Sequence, residues 1–368
     1  MPHARVRLLA LVALLASPPC APAQQQPGRF EMVRLAEGVY AAVRSEPLAD
    51  PVDGNSVVIV NDEDVVVVDS NITPGSARAV IAEIKKITQK TVRYVVNTHW
   101  HNDHVTGNAA YREAYPGVDF VAHANTRADT LEIMLPQNKK FLGDAPKNIA
   151  ALEERLAKGI KRDGTAMSEK DRQDVRAYIE MFKGYMAEAR GYTYVPATVT
   201  VEREMVLHRG GGREIRLVHL GRGNTRGDLI VYLPKERVLV TGDLVVNPIP
   251  FSFGSYLGEW IETLKKLRAI PADVIVTGHG PVQRDKAYIE TVEALLESTL
   301  AQARDAVKKG LSLEETRKAV NLDAFKQKLA GDDATRRRAF DSFFISPAVE
   351  RAYREAKGEP LTPDPTIN

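Results

Sequence analysis

The chain contains almost no cysteine: Cys20 is the single thiol among 368 residues. A lone thiol can form no intramolecular disulfide, so the fold must be stable without such cross-links. Metal sites built from several cysteine thiolates are excluded for the same reason. Any bound metal must therefore be held by nitrogen and oxygen donors.

A large excess of charge is also missing, because 50 lysines and arginines stand against 48 acidic residues. A protein that neutralises nucleic-acid phosphates needs a basic surface, so this balance predicts no nucleic-acid partner. The basic run Arg336 to Arg338 is interpreted as a solvated helix face. The partner that we expect is a small-molecule substrate, and the sequence leaves the oligomeric state open.

The apolar stretch at the start of the chain, Leu8 to Ala16, is too short for a lasting membrane anchor. Arg5 and Arg7 precede it, and Ala21-Pro22-Ala23 follows it with the small residues of a signal-peptidase site. We therefore predict a signal peptide over residues 1–23 and a periplasmic or secreted protein. Cleavage would remove two arginines, the only cysteine and any membrane anchor, leaving 48 basic against 48 acidic residues.

What the sequence does have is a dense group of imidazoles with a carboxylate, His99-Trp100-His101-Asn102-Asp103-His104. Neutral imidazole and carboxylate are donors that suit Zn²⁺ or Fe²⁺. The apolar run Thr91 to Val96 predicts a strand just before the group, and a two-residue spacing in extended chain turns His99 and His101 to the same side. The aspartate and the last histidine come as the chain turns into a helix, so we expect them to face a second metal.

With this motif the chain resembles the metallo-β-lactamase superfamily of hydrolases over about Phe30 to Val282. Asp69 ends the hydrophobic hairpin Ser56 to Val68, where the family carries an acidic residue beneath its metal loop. Asp243 stands where the family has its metal-bridging carboxylate. His279 ends the last strand, where the family has a metal-binding histidine.

The resemblance implies a hydrolase with a Zn²⁺ cofactor, in the form of one or two ions. The metal ligands that it implies are His99, His101, Asp103, His104, Asp243 and His279. In the implied mechanism Asp103 is the catalytic residue, because it would orient the attacking water or accept its proton.

One position departs from the family. Where the family has a histidine that completes the first metal site, the segment Gly221 to Asp228 carries Asn224. An amide oxygen is a poorer Zn²⁺ ligand than imidazole, so the site of His99 and His101 should be weakened or empty. The other site keeps its ligands, with help from Asp243. Asn224 is interpreted as an uncertain metal or substrate contact.

The remaining histidines are weaker candidates for the missing ligand. Nothing in the spacing of His123, His208 or His219 directs them toward the metal loop. His123 ends a predicted strand, and we interpret it as structural.

Short β runs alternate with helical patterns along the chain, and with the resemblance this predicts an α/β fold, the αββα sandwich of the metallo-β-lactamase type. The predicted parts are a metallo-β-lactamase-like domain over residues 29–282 and a helical C-terminal region over residues 283–368. Residues from about 145 to 192 form a predicted helical insertion. Its apolar stripes are interpreted as core or, alternatively, as a lid over the metal cleft.

A loop with prolines, glycine and aromatic residues follows Asp243. Its prolines and glycine favour a loop, and its aromatic rings favour contact with something apolar. We therefore expect Phe251, Phe253 and Tyr256 to line the substrate pocket.

The resulting hypothesis is a secreted or periplasmic zinc hydrolase of an amide, ester, lactone or thioester. Three alternatives stay open: a β-lactamase proper, an iron-dependent persulfide dioxygenase and a non-catalytic metal-binding member of the fold. Zinc β-lactamases place Cys or Ser near the position of Asp243, which disfavours the first. The second would use the site that Asn224 damages.

The departure at Asn224 generates a testable prediction. Asn224→His restores the family's ligand and should therefore raise the affinity for a second metal ion. Elemental analysis of metal per chain checks this, and an unchanged metal content in the variant would count against the hypothesis.

Overall fold

The computed structural model describes residues 30–44, 48, 52–189, 191 and 193–363. The predicted signal segment 1–23 and Cys20 lie outside these residues. Within the described ranges, no helix combines the length and the apolar character that a membrane span requires.

A first sheet, seven-stranded over the described residues, keeps the order of the chain. Its strands are β1 (Phe30–Ala36), β2 (Val39–Arg44), β3 (Ser56–Val60), β4 (Asp64–Val68), β5 (Thr91–Val96), β6 (Asp119–His123) and β7 (Val199–Val201). The pairs from β1 to β4 are antiparallel, and those from β4 to β7 are parallel. The predicted hairpin from Ser56 to Val68 is confirmed as β3 and β4.

The second sheet runs in the order β12-β11-β10-β9-β8. Its strands are β8 (Glu204–Arg209), β9 (Arg213–Val218), β10 (Ile230–Leu233), β11 (Val238–Val240) and β12 (Val274–Val276). Only β11 and β12 among these described strands pair in parallel, and the other pairs are antiparallel. The parallel pair needs a crossover, which the helix between residues 257 and 269 supplies.

The two sheets pack face to face, and alternation along each strand divides the apolar residues between two layers. In β3, Val57 and Ile59 face the second sheet, whereas Val58 packs under the outer helices. In β11, Val238 and Val240 lie between the sheets, and the residue between them packs outward. Helices cover both outer faces, so the predicted αββα sandwich is confirmed.

Short and long helices complete the fold. Their bounds are α1 (Pro74–Ile87), α2 (Asn102–Val105), α3 (Asn108–Ala114), α4 (Ala124–Asp129), α5 (Leu135–Lys158), α6 (Glu169–Ala189), α7 (Leu257–Ala269), α8 (Ala287–Lys308), α9 (Leu313–Ala319), α10 (Asp323–Ala330), α11 (Ala334–Ala339) and α12 (Ser346–Ala356). Helices α1 and α3 pack on the first sheet, and α7 and α8 cover the second. Thr73 caps α1 by accepting a hydrogen bond from the Ser76 N–H.

The helical insertion is longer at its N-terminal end than the sequence pattern predicts. Helix α5 begins at Leu135 and not near residue 145, because α4 leads into it through the π-helical turn Thr130–Met134. Helices α5 and α6 pack together through a small apolar cluster that contains Ala145 and Phe182. Tyr178, which the pattern places on the apolar stripe, is 42% exposed.

The helices after residue 283 share a core with the second sheet. Trp260 and Leu264 of α7, Leu296 of α8 and Phe340 near the C-terminal end belong to one apolar cluster, and each is fully buried. The predicted boundary near residue 283 therefore separates two stretches of sequence that pack as one body.

This shared core predicts a single unfolding transition. Leu296→Ala should lower the free energy of unfolding by about 2–5 kcal/mol, because truncating a buried leucine removes apolar contacts and leaves a cavity. Denaturant unfolding followed by circular dichroism and by tryptophan fluorescence measures it. Two separate transitions, with only one of them shifted, would contradict the shared core.

Candidate metal centre

Strand ends from both sheets deliver the candidate ligands to one edge of the sandwich. Asp69 follows β4 directly, and the loop 97–101 follows β5, which runs parallel to β4. Asp243 lies in a 3-10 turn after β11, and His279 follows β12, which runs parallel to β11. Because parallel strands end at the same edge of a sheet, this edge is the natural position of a binding site.

The predicted strand ends at Val96, so His99 and His101 lie in the loop that follows and not in extended strand. Their rings nevertheless meet, with centroids 4.6 Å apart and an interplanar angle of 82°. The loop path produces this contact, and one bond that anchors the loop runs from the Thr98 N–H to Asp69 Oδ1 at 2.8 Å.

Asp103, His104 and His279 form one candidate metal cluster. His104 Nε2 lies 3.2 Å from Asp103 Oδ2 and 3.3 Å from His279 Nε2. The His279 Nε2 atom lies 3.0 Å from Asp103 Oδ2. Both imidazoles are fully buried, and the Asp103 side chain is 15% exposed. Helix α2 carries Asp103 and His104, as the sequence predicts.

His99, His101 and Asp243 form a second candidate cluster. His99 Nε2 lies 3.0 Å from His101 Nδ1 and 3.6 Å from Asp243 Oδ2. The resemblance places Asp243 at the family's metal-bridging position, and its two oxygens are divided between the clusters. Its Oδ1 lies 3.3 Å from His104 Nε2 and 3.5 Å from His279 Nε2. This is the arrangement expected of a bridging carboxylate.

Asp69 holds the metal loop from beneath. Its Oδ2 lies 2.8 Å from His104 Nδ1 and accepts a hydrogen bond from the Thr98 hydroxyl at 2.8 Å. That hydroxyl in turn lies 3.0 Å from His99 Nδ1. The Nδ1 protons of His99 and His104 therefore have partners away from the clusters, and both Nε2 atoms turn toward them. Such outer contacts fix the tautomer of metal-binding histidines.

Burial and charge act against each other in the cluster. Burial alone would lower the pKa of both His104 and His279, but neighbouring carboxylates hold the pKa of His104 well above its usual range and raise that of His279 to about 9. Burial would raise the pKa of Asp103, but the same two imidazoles hold it well below its usual range. The site thus stabilises positive charge in a buried position.

The donor atoms fit a divalent metal. Ring nitrogens and carboxylate oxygens converge within hydrogen-bond distance of one another, although lone pairs repel unless an electropositive centre lies between them. Among the described residues, none donates a hydrogen bond to Asp243 Oδ1, although this oxygen is buried. Two clusters of nitrogen and oxygen donors without a thiolate suit zinc or iron.

Asn224 lies next to His101. It is 1% exposed, it lines a small pocket together with His101, and its Nδ2 donates a hydrogen bond to the Phe251 carbonyl at 2.8 Å.

The other histidines among the described residues lie outside the two clusters. His219 Nδ1 bonds to the Asp228 carbonyl, and its ring packs on that of His123 with centroids 4.2 Å apart. His123 Nδ1 accepts a hydrogen bond from the Asn125 N–H, and its Nε2 donates one to the Glu202 carbonyl. His123 is therefore structural, as predicted, and His208 is exposed on β8.

Two of the three predicted pocket residues line the pocket next to His101. Phe253 and Tyr256 do so, together with Trp100 and Arg226. Phe251 is not among the residues that line this pocket; its ring lies 5.2 Å from that of His279, so it packs against a candidate ligand. The aromatic pattern alone does not separate a wall residue from a supporting one.

Trp100 and Arg226 were not predicted as pocket residues. The position of Trp100 between His99 and His101 could have predicted this, because a side chain between two candidate ligands lies close to the same site. Arg226 pairs with the buried carboxylate of Asp129 at 2.6 Å. Nothing in the local sequence indicates that pairing, since 97 positions separate the partners.

The helical insertion forms a wall beside the metal loop. Asn102 and Asn138 exchange side-chain hydrogen bonds of 3.0 and 2.6 Å, which join α2 to α5. Trp100 packs with Met134 just before α5. The insertion therefore contacts the cleft, as the lid interpretation requires, and it also has the small core of its own that the other interpretation predicts.

Comparison with known proteins gives a consistent result. A family model described as the metallo-beta-lactamase superfamily matches residues 49–279. The linear primary-alkylsulfatase of a Pseudomonas species is 26% identical over 271 residues, which is 71% of this chain and 48% of that protein. The metallo-beta-lactamase type 2 of Bacillus sp. strain 170 is 23% identical over 254 residues, covering 67% of this chain and 74% of that protein.

Among solved structures, the inverting sec-alkylsulfatase Pisa1 from a Pseudomonas species matches with a TM-score of 0.58 and 18% identity. The match covers 89% of this chain and 50% of that chain. This likeness shows the fold. The chain thus spans about half the length of the two alkylsulfatases that it matches.

The contacts of Asp69 lead to a prediction about metal affinity. In Asp69→Asn, the amide oxygen would keep the hydrogen bond from the Thr98 N–H. The amide N–H₂ group would then face the N–H at His104 Nδ1, so two hydrogen-bond donors would be opposed. The imidazole should change tautomer or rotate, and zinc affinity should fall about 10- to 100-fold. Titration of zinc against a chromophoric chelator measures the change.

Asp64→Asn is the matched control, because Asp64 is a buried carboxylate at the other end of β4. It should leave zinc affinity unchanged. Equal zinc affinities for the two variants would contradict the role of Asp69 in orienting His104.

Proposed function

The chain belongs to the metallo-β-lactamase superfamily, and from that membership we propose that it is a zinc-dependent hydrolase of small molecules. The observation that carries the proposal is the pair of buried donor clusters with one oxygen of Asp243 turned to each. Export to the periplasm or the medium belongs to the same proposal and rests on the pattern of residues 1–23.

The donor set supports zinc as the cofactor. His99, His101 and Asp243 would hold one ion, and Asp103, His104 and His279 another, with Asp243 shared. When bound, zinc supplies Lewis-acid polarisation and lowers the pKa of water from about 15.7 toward about 7.

Asp103 is suited to orient the attacking water. Its side chain is the partly exposed one of its cluster, so it lies where the cleft meets the ligands. Despite burial, the neighbouring imidazoles hold its pKa well below the usual range. A carboxylate in this position can accept a hydrogen bond from the attacking water, and so orient it, or accept its proton.

The pocket supports a substrate with an apolar part beside the group that is cleaved. Trp100, Phe253 and Tyr256 place aromatic rings around the pocket next to His101, although Trp100 and Tyr256 are each only 2% exposed. Carboxylic esters, thioesters, lactones and amides all present a polarised carbonyl and can carry such a part.

A second candidate is the hydrolysis of a sulfate ester. Arg226 lines the same pocket and keeps its positive charge, so it could stabilise an anionic group near the donor clusters. The likeness to a protein named linear primary-alkylsulfatase points the same way.

The experiment that tests the proposal is a turnover assay with zinc-loaded protein on nitrophenyl esters, a thioester, a lactone, a β-lactam and an alkyl sulfate. Asp103→Asn should lower kcat about 10²- to 10⁴-fold on the substrate that is turned over, since the variant loses the negative acceptor for the water. Chelation should abolish turnover, and added zinc should restore it.

Asp332→Asn, which changes an exposed carboxylate in the C-terminal region, serves as the control and should keep full activity. Zinc-loaded wild type that turns over none of these substrates would favour a non-catalytic metal-binding protein. Equal rates for Asp103→Asn and wild type would exclude the role given to Asp103.

A further inference from the structure

Asn224 stands where the superfamily has a histidine, and its side chain is held in one orientation. Its Nδ2 donates a 2.8 Å hydrogen bond to the carbonyl of Phe251. An amide must turn its N–H₂ group toward a carbonyl acceptor, so the Oδ1 atom of Asn224 faces the other way. This hydrogen bond therefore distinguishes the amide nitrogen of Asn224 from its oxygen and fixes the orientation of the side chain.

The oxygen that faces away is buried, and no donor among the described residues reaches it. Asn224 lines the same pocket as His101. Buried polar atoms without partners are uncommon in folded proteins and call for a physical explanation. An electropositive partner at the neighbouring cluster, which His101 enters through Nδ1, would explain the unpartnered oxygen of Asn224.

The loop that carries Asn224 is firmly closed. Asp228 accepts hydrogen bonds from the Thr225 N–H at 2.9 Å and from the Thr225 hydroxyl at 2.8 Å. The Gly223 carbonyl accepts from the Tyr256 N–H at 2.9 Å. These contacts on both sides of Asn224 restrict its backbone, so its oxygen is held in place before any ligand binds.

We propose that Asn224 Oδ1 is a protein ligand of the first metal site, beside His99, His101 and Asp243, and that it makes this site the weaker of the two. The inference rests on the proposed function, because it requires that the chain bind metal. An amide oxygen is a neutral donor that binds zinc less tightly than imidazole does. The cluster of Asp103, His104 and His279 should therefore fill first as zinc is added.

The test is a titration of the chelator-stripped protein with zinc alone, read by competition with a chromophoric chelator and by calorimetry. Wild type should show two binding events that differ at least tenfold in affinity. Asn224→Ala should weaken the weaker event at least tenfold and leave the stronger one unchanged. Asn224→His should strengthen the weaker event at least tenfold.

Site variants assign the events. His99→Ala should abolish the event that Asn224→Ala weakens, and Asp103→Asn should weaken the other one. Asn125→Ala is the matched control, because the Asn125 amide holds the same loop by donating to the Arg226 carbonyl at 3.0 Å. It should leave both affinities within twofold of wild type, which separates loss of a ligand from loosening of the loop.

Thermal unfolding without zinc shows whether each variant is folded. If Asn224→Ala fails to fold, Asn224→His decides alone, since the added imidazole must tighten the weaker event. Two zinc events in wild type that no Asn224 variant changes by more than twofold would overturn the inference and leave the hydrolase proposal standing. A single zinc-binding event in wild type at all zinc concentrations would also overturn the inference and leave the hydrolase proposal standing. No zinc binding at all would overturn both.

Discussion

The convergence of donor atoms around the Asp243 carboxylate is the interaction on which the rest of the structure depends. One oxygen faces His99 and the other faces His104 and His279, all within 3.6 Å and all buried. Nitrogen and oxygen lone pairs this close are stable only around positive charge. These donor atoms therefore favour a bound cation between them, and the surrounding fold must hold them in fixed positions.

Both sheets contribute to that rigidity through short connections at their carboxyl ends. The Leu229 N–H donates to the Thr98 carbonyl, and the Asn55 N–H donates to the Gly278 carbonyl, so backbone bonds cross the site. Gly278 also has to be glycine, because a Cβ there would collide with Asp243 Oδ1. Asp69 adds the contact beneath the metal loop that turns His104 toward its partners.

The parts added to the sandwich contact the pocket and the elements around the donor clusters, but they supply none of the candidate ligands found among the described residues. The Phe251 ring lies 5.2 Å from that of Phe343, in the C-terminal π-helical turn Phe340–Ile345, and the Ser252 N–H donates to the Phe343 carbonyl. Arg351 of α12 donates to the carbonyls of residues 254 and 255. Since the insertion also contacts the metal loop through Asn102 and Asn138, variation in either addition can change the pocket and keep the donor residues.

The sequence by itself determined the donor types, their order along the chain and the sandwich, because alternating strands and the spacing of the histidine motif are local patterns. It also showed the departure at Asn224. Only the tertiary structure decided the detailed geometry: which oxygen of Asp243 faces each cluster, the packing of Phe251 against His279, and the start of α5 about ten residues earlier than predicted. Those features depend on contacts between residues far apart in sequence, and no local pattern contains them. One example is the hydrogen bond that orients Asn224, whose acceptor Phe251 lies 27 positions away.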